Sequence, residues 1–185
     1  MMTKTEKQFD ENIALCREIF YKKAKDYGTS WRILRPSSLT DQLFIKANRI
    51  RSIEEKGIHK VEEGIKEEFI AIVNYSVMAL IQINKEPQGG EDSRMPLEEV
   101  MQLYDKYIIG AKNLMLNKNH DYGEAWRDMR VSSLTDIILM KLFRLKQIED
   151  NMGKTIISEG PEGSYNDILN YAMFALIKIS EEEKK

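Results

Sequence analysis

The sequence predicts an all-α fold, a tandem repeat of a three-helix module that packs as an intramolecular pseudo-dimer helical bundle. Three observations lead to this prediction. A signature at residues 26–32, Asp-Tyr-Gly-x-x-Trp-Arg, returns at 121–127, and aligning 26–54 on 121–149 at an offset of 95 leaves 15 of 29 positions identical. Apolar residues recur with helical spacing along most of the chain. No run of alternating apolar and polar residues bounded by turns predicts a strand.

The first copy is predicted to contain three helices. A capping box at residues 3–6 starts the first helix, which continues to about Lys25. The second helix is expected over 38–56, because Pro36 keeps the residues around it out of a helix interior. An apolar third helix follows at about 61–84.

A stretch at 85–96 concentrates proline and glycine and has no apolar period, so it is predicted to link the two copies. The chain is thus divided into a first copy at 1–84 and a second copy at 97–185. In the second copy the same patterns predict a signature loop at 119–132, a loop at 160–163, and helices at about 97–118, 133–151 and 164–183.

Composition limits the classes of function. The net charge of -2 gives no field that would gather duplex nucleic acid, so such a partner is not expected. Cys16 is the only cysteine, which rules out an intrachain disulfide and favours a reducing cytoplasm. No stretch approaches the ~18 consecutive apolar residues of a membrane span. We therefore expect a cytoplasmic protein without a membrane partner, and a homo-oligomer remains open.

A lysine interrupts the apolar stripe of the second helix in both copies, at Lys46 and at Lys141. A buried ammonium group without a partner costs several kcal/mol, so an anion is expected to face each lysine. Arg49 and Arg144 follow three residues later, and each copy therefore directs a Lys-x-x-Arg pair to one place. The anion could be a ligand phosphate or an internal acid, and the lysines could also extend out to solvent at the edge of the core.

The third helices carry acids that differ between the copies. The first copy has Glu63 and Glu67 on one face, whereas the second has Glu159 and Asp167, with Asp167 aligning on Ala71. Acids spaced three or four residues apart on a helix can share a divalent cation such as Mg²⁺. Alternatively, they are solvated residues that the helix dipole favours at a helix start.

Each third helix also carries an asparagine, Asn74 or Asn170, followed by a tyrosine. Asparagine is a middling-to-poor helix former, and the surrounding helix is apolar. A buried asparagine needs hydrogen-bond partners. The pattern therefore predicts either an internal hydrogen-bond network or a ligand contact at these positions.

The signature begins with an aspartate, Asp26 or Asp121, at the end of a helix. An acid at that end opposes the helix dipole and needs a compensating partner. The arginine that closes the signature, Arg32 or Arg127, is the expected partner.

The signature also carries aromatic residues. Trp31 and Trp126 could stack on a nucleobase, with Tyr27 and Tyr122 beside them. Alternatively, each tryptophan is a core anchor that holds its loop against the helices. Both interpretations remain open from the residues alone.

These motifs together resemble a known family. The Asp-Tyr-Gly-x-x-Trp loop, the Lys-x-x-Arg helix and the Asp-x-x-Asn-Tyr sequence at 167–171 are similar to the nucleotide modification associated domain, type 1. The resemblance covers roughly 9–83 and 103–179. That family is distantly similar to the MazG-like all-α nucleotide pyrophosphatases, which bind Mg²⁺ through acids on facing helices and cleave nucleoside triphosphates to monophosphates. This chain has Lys-x-x-Arg where those enzymes have Glu-x-x-Glu.

The resemblance implies a protein that binds a nucleotide or modified nucleotide, with hydrolysis of phosphoanhydride bonds left open. Together with the residue patterns above, this makes Glu159, Asp167, Glu63 and Glu67 the candidate catalytic acids, of which Asp167 and Glu159 would hold Mg²⁺. The implied nucleotide-binding residues are Lys46, Arg49, Lys141, Arg144, Asn74, Asn170, Asp26, Tyr27, Trp31, Arg32, Asp121, Tyr122, Trp126 and Arg127. The alternative is a non-catalytic helical interaction module in which the lysines pair internally with acids.

Overall fold

The computed structural model describes residues 1–57, 62–85, 94–157 and 160–185, except for the side chains of residues 62 and 63. No strand occurs in these ranges, so the all-α prediction is confirmed. None of the described helices is long and apolar enough to cross a membrane. The helices are α1 (Lys4–Tyr27), α2 (Pro36–Lys56), α3 (Glu62–Asn84), α4 (Leu97–Tyr122), α5 (Val131–Asp150) and α6 (Pro161–Glu183), with a 3-10 turn at Ser30–Ile33 and another at Ala125–Asp128.

The core lies between the second and third helices of both copies. Helix α2 packs on α3 and α5, helix α6 packs on α5, and α3 and α6 pack on each other. Helices α1 and α4 contact one another and cross over α3 and α6. Burying each large aliphatic or aromatic side chain in such a core stabilises the fold by about 1.5–3 kcal/mol. Fully buried examples are Leu39, Leu43, Ile72, Leu142 and Ile168.

The same threonine-to-glutamate hydrogen bond occurs twice between helices α2 and α5, once from each copy. The Thr40 hydroxyl donates to Glu149 at 2.5 Å, and the Thr135 hydroxyl donates to Glu54 at 3.4 Å. The offset of 95 exchanges one pair for the other. Two copies facing one another across a two-fold axis make reciprocal contacts of this kind. The pseudo-two-fold arrangement itself stays a prediction.

Three helices begin earlier than the sequence patterns predicted. Helix α2 begins at Pro36 rather than Ser38, α5 begins at Val131 rather than at about residue 133, and α6 begins at Pro161 within the predicted loop. Proline suits the first helical position because the missing N–H has no intrahelical partner there and the ring fixes a helical φ. The prediction wrongly treated Pro36 as a residue that excludes the helix. The capping box at Thr3 and Glu6 is confirmed.

A glycine ends the first helix of each copy and turns the chain into the signature loop. Gly28 has φ 64° and Gly123 has φ 68°, values that a residue with a Cβ rarely adopts. The Gly28 N–H donates to the Ala24 carbonyl at 2.8 Å, and the Gly123 N–H donates to Asn119 at 2.9 Å. These turns place both loops against the third helices.

Candidate functional site

A cavity of about 490 Å³ opens in the first copy between α1, α3 and the signature loop. Most of its wall is apolar, and the loop side chains Tyr27 and Trp31 form one edge. Lys23 and Glu67 supply charged groups at the same cavity. Ligand sites commonly combine an apolar, aromatic wall with a few polar groups. Further lining residues include Phe20, Ala71, Asn74, Tyr75 and Met78.

The Trp31 ring is only partly buried, and it meets the edge of Phe20 with the centroids 6.4 Å apart. Tyr27, the last residue of α1, is 73% exposed. Both side chains therefore leave aromatic surface accessible at the cavity. This arrangement is compatible with stacking on a flat ligand.

Asn74 belongs to an internal network, although it also lines the cavity. Its side-chain amide donates to the Cys16 carbonyl at 3.1 Å, and its Oδ1 accepts from the Tyr104 hydroxyl at 2.7 Å. Burial raises the pKa of Tyr104, so the hydroxyl stays protonated and can donate. The network ties α3 to α1 and to α4, which was one of the two predicted alternatives.

Asn170 makes half of the equivalent network in the second copy. Its amide donates to the Ala111 carbonyl at 2.9 Å, but its buried Oδ1 has no hydrogen-bond partner among the described residues. The offset of 95 relates Tyr104 to Phe9, whose ring has no hydroxyl. The two asparagines therefore differ in how fully they are satisfied.

The cations of the first copy pair with an acid that sequence analysis missed. Lys46 and Arg49 both approach Glu68, with N–O distances of 3.7 and 2.8 Å. The Glu68 side chain is 8% exposed, whereas Glu67 is exposed at the cavity. The side chain of Glu63 lies outside the described residues. An anion facing Lys46 was thus expected correctly. Of the alternatives left open it is an internal acid, and that acid is Glu68 rather than Glu63 or Glu67.

The signal for Glu68 was present in the helical spacing. It lies three residues after Ile65 and four before Ile72, on the stripe that faces the core. The acid-rich context of residues 62–68 suggested a solvated helix start instead. Periodicity is therefore a better guide to the burial of this carboxylate than local composition.

In the second copy, two lysines converge on Asp167. Its carboxylate accepts from Lys118 at 2.8 Å and from Lys141 at 3.0 Å. Burial alone would raise the pKa of Asp167, but these two hydrogen bonds outweigh it and lower the pKa below its ordinary value. Lys118 was missed, although it repeats Lys23 at the offset of 95. Arg144 is exposed and makes no ion pair in the described part of the chain.

Trp126 is buried, whereas its counterpart Trp31 is partly exposed and borders the cavity. Trp126 is 5% exposed and stacks on Phe174, with the centroids 4.3 Å apart and the ring planes 5° from parallel. Met78 aligns with Phe174 in the first copy and lines the cavity there. Of the two predicted roles, Trp126 has that of the core anchor.

The predicted pairing of each signature aspartate with its arginine is wrong. Asp121 is exposed and lies 3.1 Å from the ring of His120. Arg127 instead contacts Glu124 at 2.5 Å and Glu181 at 3.2 Å, because the loop turns its side chain toward α1 and α6. Tyr122, at 80% exposure, also points away from the core.

In the first loop Asp26 is exposed, and the 2% exposed Arg32 donates to Gln82 rather than to this aspartate. The Gln82 amide donates back to the Arg32 carbonyl at 3.0 Å. In the second copy, Lys178 donates to the Arg127 carbonyl at 2.6 Å. In both copies a side chain of the third helix thus holds the loop backbone, an interaction that was not predicted from the sequence.

Comparison with protein families gives a match that recurs in both copies. The model for nucleotide modification associated domain 1 matches residues 23–83 and 118–179, one segment in each copy. The chain belongs to this family. Searches of curated proteins and of solved structures give no match. The family segments support a duplicated domain, while the bounds 1–84, 85–96 and 97–185 and the likeness to MazG-like enzymes stay predictions.

Two residues were predicted to hold Mg²⁺, and the structure describes one of them, Asp167. Asp167 does not fit that role as it stands, because two ammonium groups occupy its carboxylate. Its predicted co-ligand Glu159 lies outside the described residues. The described part of the chain contains no group of three or more potential ligands of the His, Cys, Asp and Glu types. A requirement for Mg²⁺ therefore stays a prediction.

Proposed function

We propose that this chain binds a nucleotide in the cavity of the first copy. The observation that carries the proposal is the open cavity of about 490 Å³ beside the exposed aromatic surface of Tyr27 and Trp31. Stacking of a base on an aromatic side chain contributes about 1–3 kcal/mol. Membership of a family associated with nucleotide modification agrees with such a ligand.

The charged lining suits the rest of a nucleotide. Lys23 is exposed at the cavity and can donate charge-assisted hydrogen bonds to a phosphate oxygen. Glu67 is exposed at the same cavity and can accept from the hydroxyl groups of a ribose. The proposal therefore gives separate places to the base, the sugar and the phosphate. Hydrolysis of a phosphoanhydride bond stays a prediction.

A second candidate function is a non-catalytic helical interaction module. The observation that favours it is the internal pairing of both interior lysines, Lys46 with Glu68 and Lys141 with Asp167. These ion pairs account for the lysines without any ligand. They do not account for the cavity, which Tyr27 and Trp31 leave open on one side.

The test is a thermal-shift and calorimetric screen of nucleosides and nucleotides, with and without Mg²⁺. A ligand present at 100 times its dissociation constant should stabilise the fold by about 2.7 kcal/mol. Tyr27→Ala should weaken binding by about 1–3 kcal/mol, or roughly 5- to 150-fold, because it removes a stacking surface.

The matched control is Tyr122→Ala. Tyr122 occupies the same signature position and is equally exposed, but it does not line the cavity. The Tyr122→Ala variant should therefore bind the nucleotide with unchanged affinity. Equal losses in the two variants, or the absence of any shift with every nucleotide, would contradict the proposal.

A further inference from the structure

The two copies differ at one acid on the third helix. Asp167 in α6 aligns with Ala71 in α3 at an offset of 96. The structure supports this alignment, because Asn74 and Asn170, related by the same offset, both donate to a backbone carbonyl of the first helix in their own copy. The two positions can therefore be compared directly.

In the second copy the acid is held by two lysines, Lys118 at 2.8 Å and Lys141 at 3.0 Å. These lysines repeat Lys23 and Lys46 at the offset of 95. The chain itself thus supplies an anion to the pair of cations in the second copy.

In the first copy the cations remain, but the acid is an alanine. Lys23 and Ala71 both line the cavity. Lys46 is directed toward the same part of α3, since its partner Glu68 lies one turn before Ala71. The distance of 3.7 Å between Lys46 Nζ and Glu68 Oε2 is longer than a hydrogen bond. The buried Glu68 Oε2 thus has no hydrogen-bond partner among the described residues.

Two carboxylates also face this region, and they limit the anion that can enter. Glu67 lines the cavity, but it is exposed and can turn toward solvent. Glu68 is fixed by Arg49 at 2.8 Å. Lys23 makes no ion pair within the described residues, so it is the cation most available to an incoming group.

We propose that the surroundings of Ala71 form an anion subsite, in which Lys23 and Lys46 bind the phosphate of the nucleotide. The phosphate takes the place that the carboxylate of Asp167 takes in the second copy. The second copy is thus occupied by its own side chain, and each chain binds one nucleotide. This inference rests on the proposed function and specifies which part of the ligand the cavity recognises.

The experiment is calorimetry with nucleoside 5′-monophosphates, the matching nucleosides and inorganic phosphate. The wild-type chain should bind the monophosphate at one site per chain and about 10- to 150-fold more tightly than the nucleoside, as expected for hydrogen bonds between charged groups. Ala71→Asp should remove this preference, because it places a carboxylate between the lysines. Lys23→Gln should reduce the preference without affecting folding, since Lys23 is exposed.

Lys25→Gln is the matched control, because Lys25 lies two residues after Lys23 on α1, is exposed and does not line the cavity. It should bind like the wild type. Equal affinity for monophosphate and nucleoside, wild-type binding by Ala71→Asp, or two sites per chain would overturn the subsite and leave the proposed function standing. Failure of every probe to bind would overturn both. Circular dichroism of each variant separates lost binding from lost structure.

Discussion

The first and second copies keep the same helices and signature but treat the signature tryptophan differently. Trp31 borders a cavity of about 490 Å³, whereas Trp126 is buried and stacked on Phe174 at 4.3 Å. The residue facing the loop from the third helix is Met78 in one copy and Phe174 in the other. A duplicated helical module can therefore keep its helices while a few side chains decide whether its site is open.

The charged residues show the same contrast. In the second copy Asp167 pairs with two lysines, and in the first copy the aligned position in the cavity wall is Ala71. Aromatic packing and charge pairing thus close the same copy. The comparison predicts that the second copy contributes more stability at these positions and the first contributes binding.

Of the variants considered, removal of the buried tryptophan Trp126 should destabilise the protein most. Trp126→Ala should lower the free energy of unfolding by about 3–5 kcal/mol, because it deletes a buried aromatic ring and leaves a cavity. Trp31→Ala should cost clearly less, since that ring is only partly buried beside an existing cavity. Urea denaturation of both variants measures the difference. Equal losses would mean that the two loops do not differ as described.

A smaller loss of stability is expected when Asn74 loses its hydrogen-bond donor. Tyr104→Phe should lower the free energy of unfolding by about 1–3 kcal/mol, because the buried Oδ1 of Asn74 loses its donor. Tyr21→Phe, at an exposed position on α1, is the control and should be neutral. Thermal or chemical denaturation of both variants measures the change in the free energy of unfolding. A neutral Tyr104→Phe would show that water replaces the hydroxyl at Asn74.

The smallest effect concerns the charge pair of the second copy. Asp167→Asn should cost about 1 kcal/mol at neutral pH, since the carboxylate is partly exposed and its attraction to the lysines is screened. The pKa of Asp167 is lowered in the folded state, so its stabilisation is present above the ordinary aspartate pKa of about 4 and is lost as pH falls toward the folded value.

The stabilities of Asp167→Asn and the wild type should therefore differ by a constant amount above about pH 5 and converge below about pH 4. Denaturation curves recorded from pH 3 to 7 measure this difference. A gap that widens toward low pH would show that the aspartate is not held in its charged form.

Much of the fold was predictable because it follows from local periodicity. Helix number, the repeat and the capping box at Thr3 depend on spacings of three or four residues and on an internal alignment. The start of α2 was misjudged because proline both breaks helices and begins them. Deciding between the two roles requires the position of Pro36 relative to the helix, which composition does not give.

The site was less predictable because it depends on contacts between distant segments. The need for an anion at each interior lysine followed from the cost of burying a charge. The identity of Glu68, and the approach of Lys118 from another helix, depend on how far each helix is rotated in the bundle. The loop arginines were misassigned for the same reason, since Gln82 of α3 and Glu181 of α6, which contact Arg32 and Arg127, lie far from them along the chain.

The packing of α3 on α6 has a consequence for how the two halves respond to a bound molecule. Neither third helix can leave its place without exposing apolar surface of the other, so we expect the halves to unfold in one cooperative step. A small molecule captured by one half then slows amide hydrogen exchange in the other as well, although it touches no atom there.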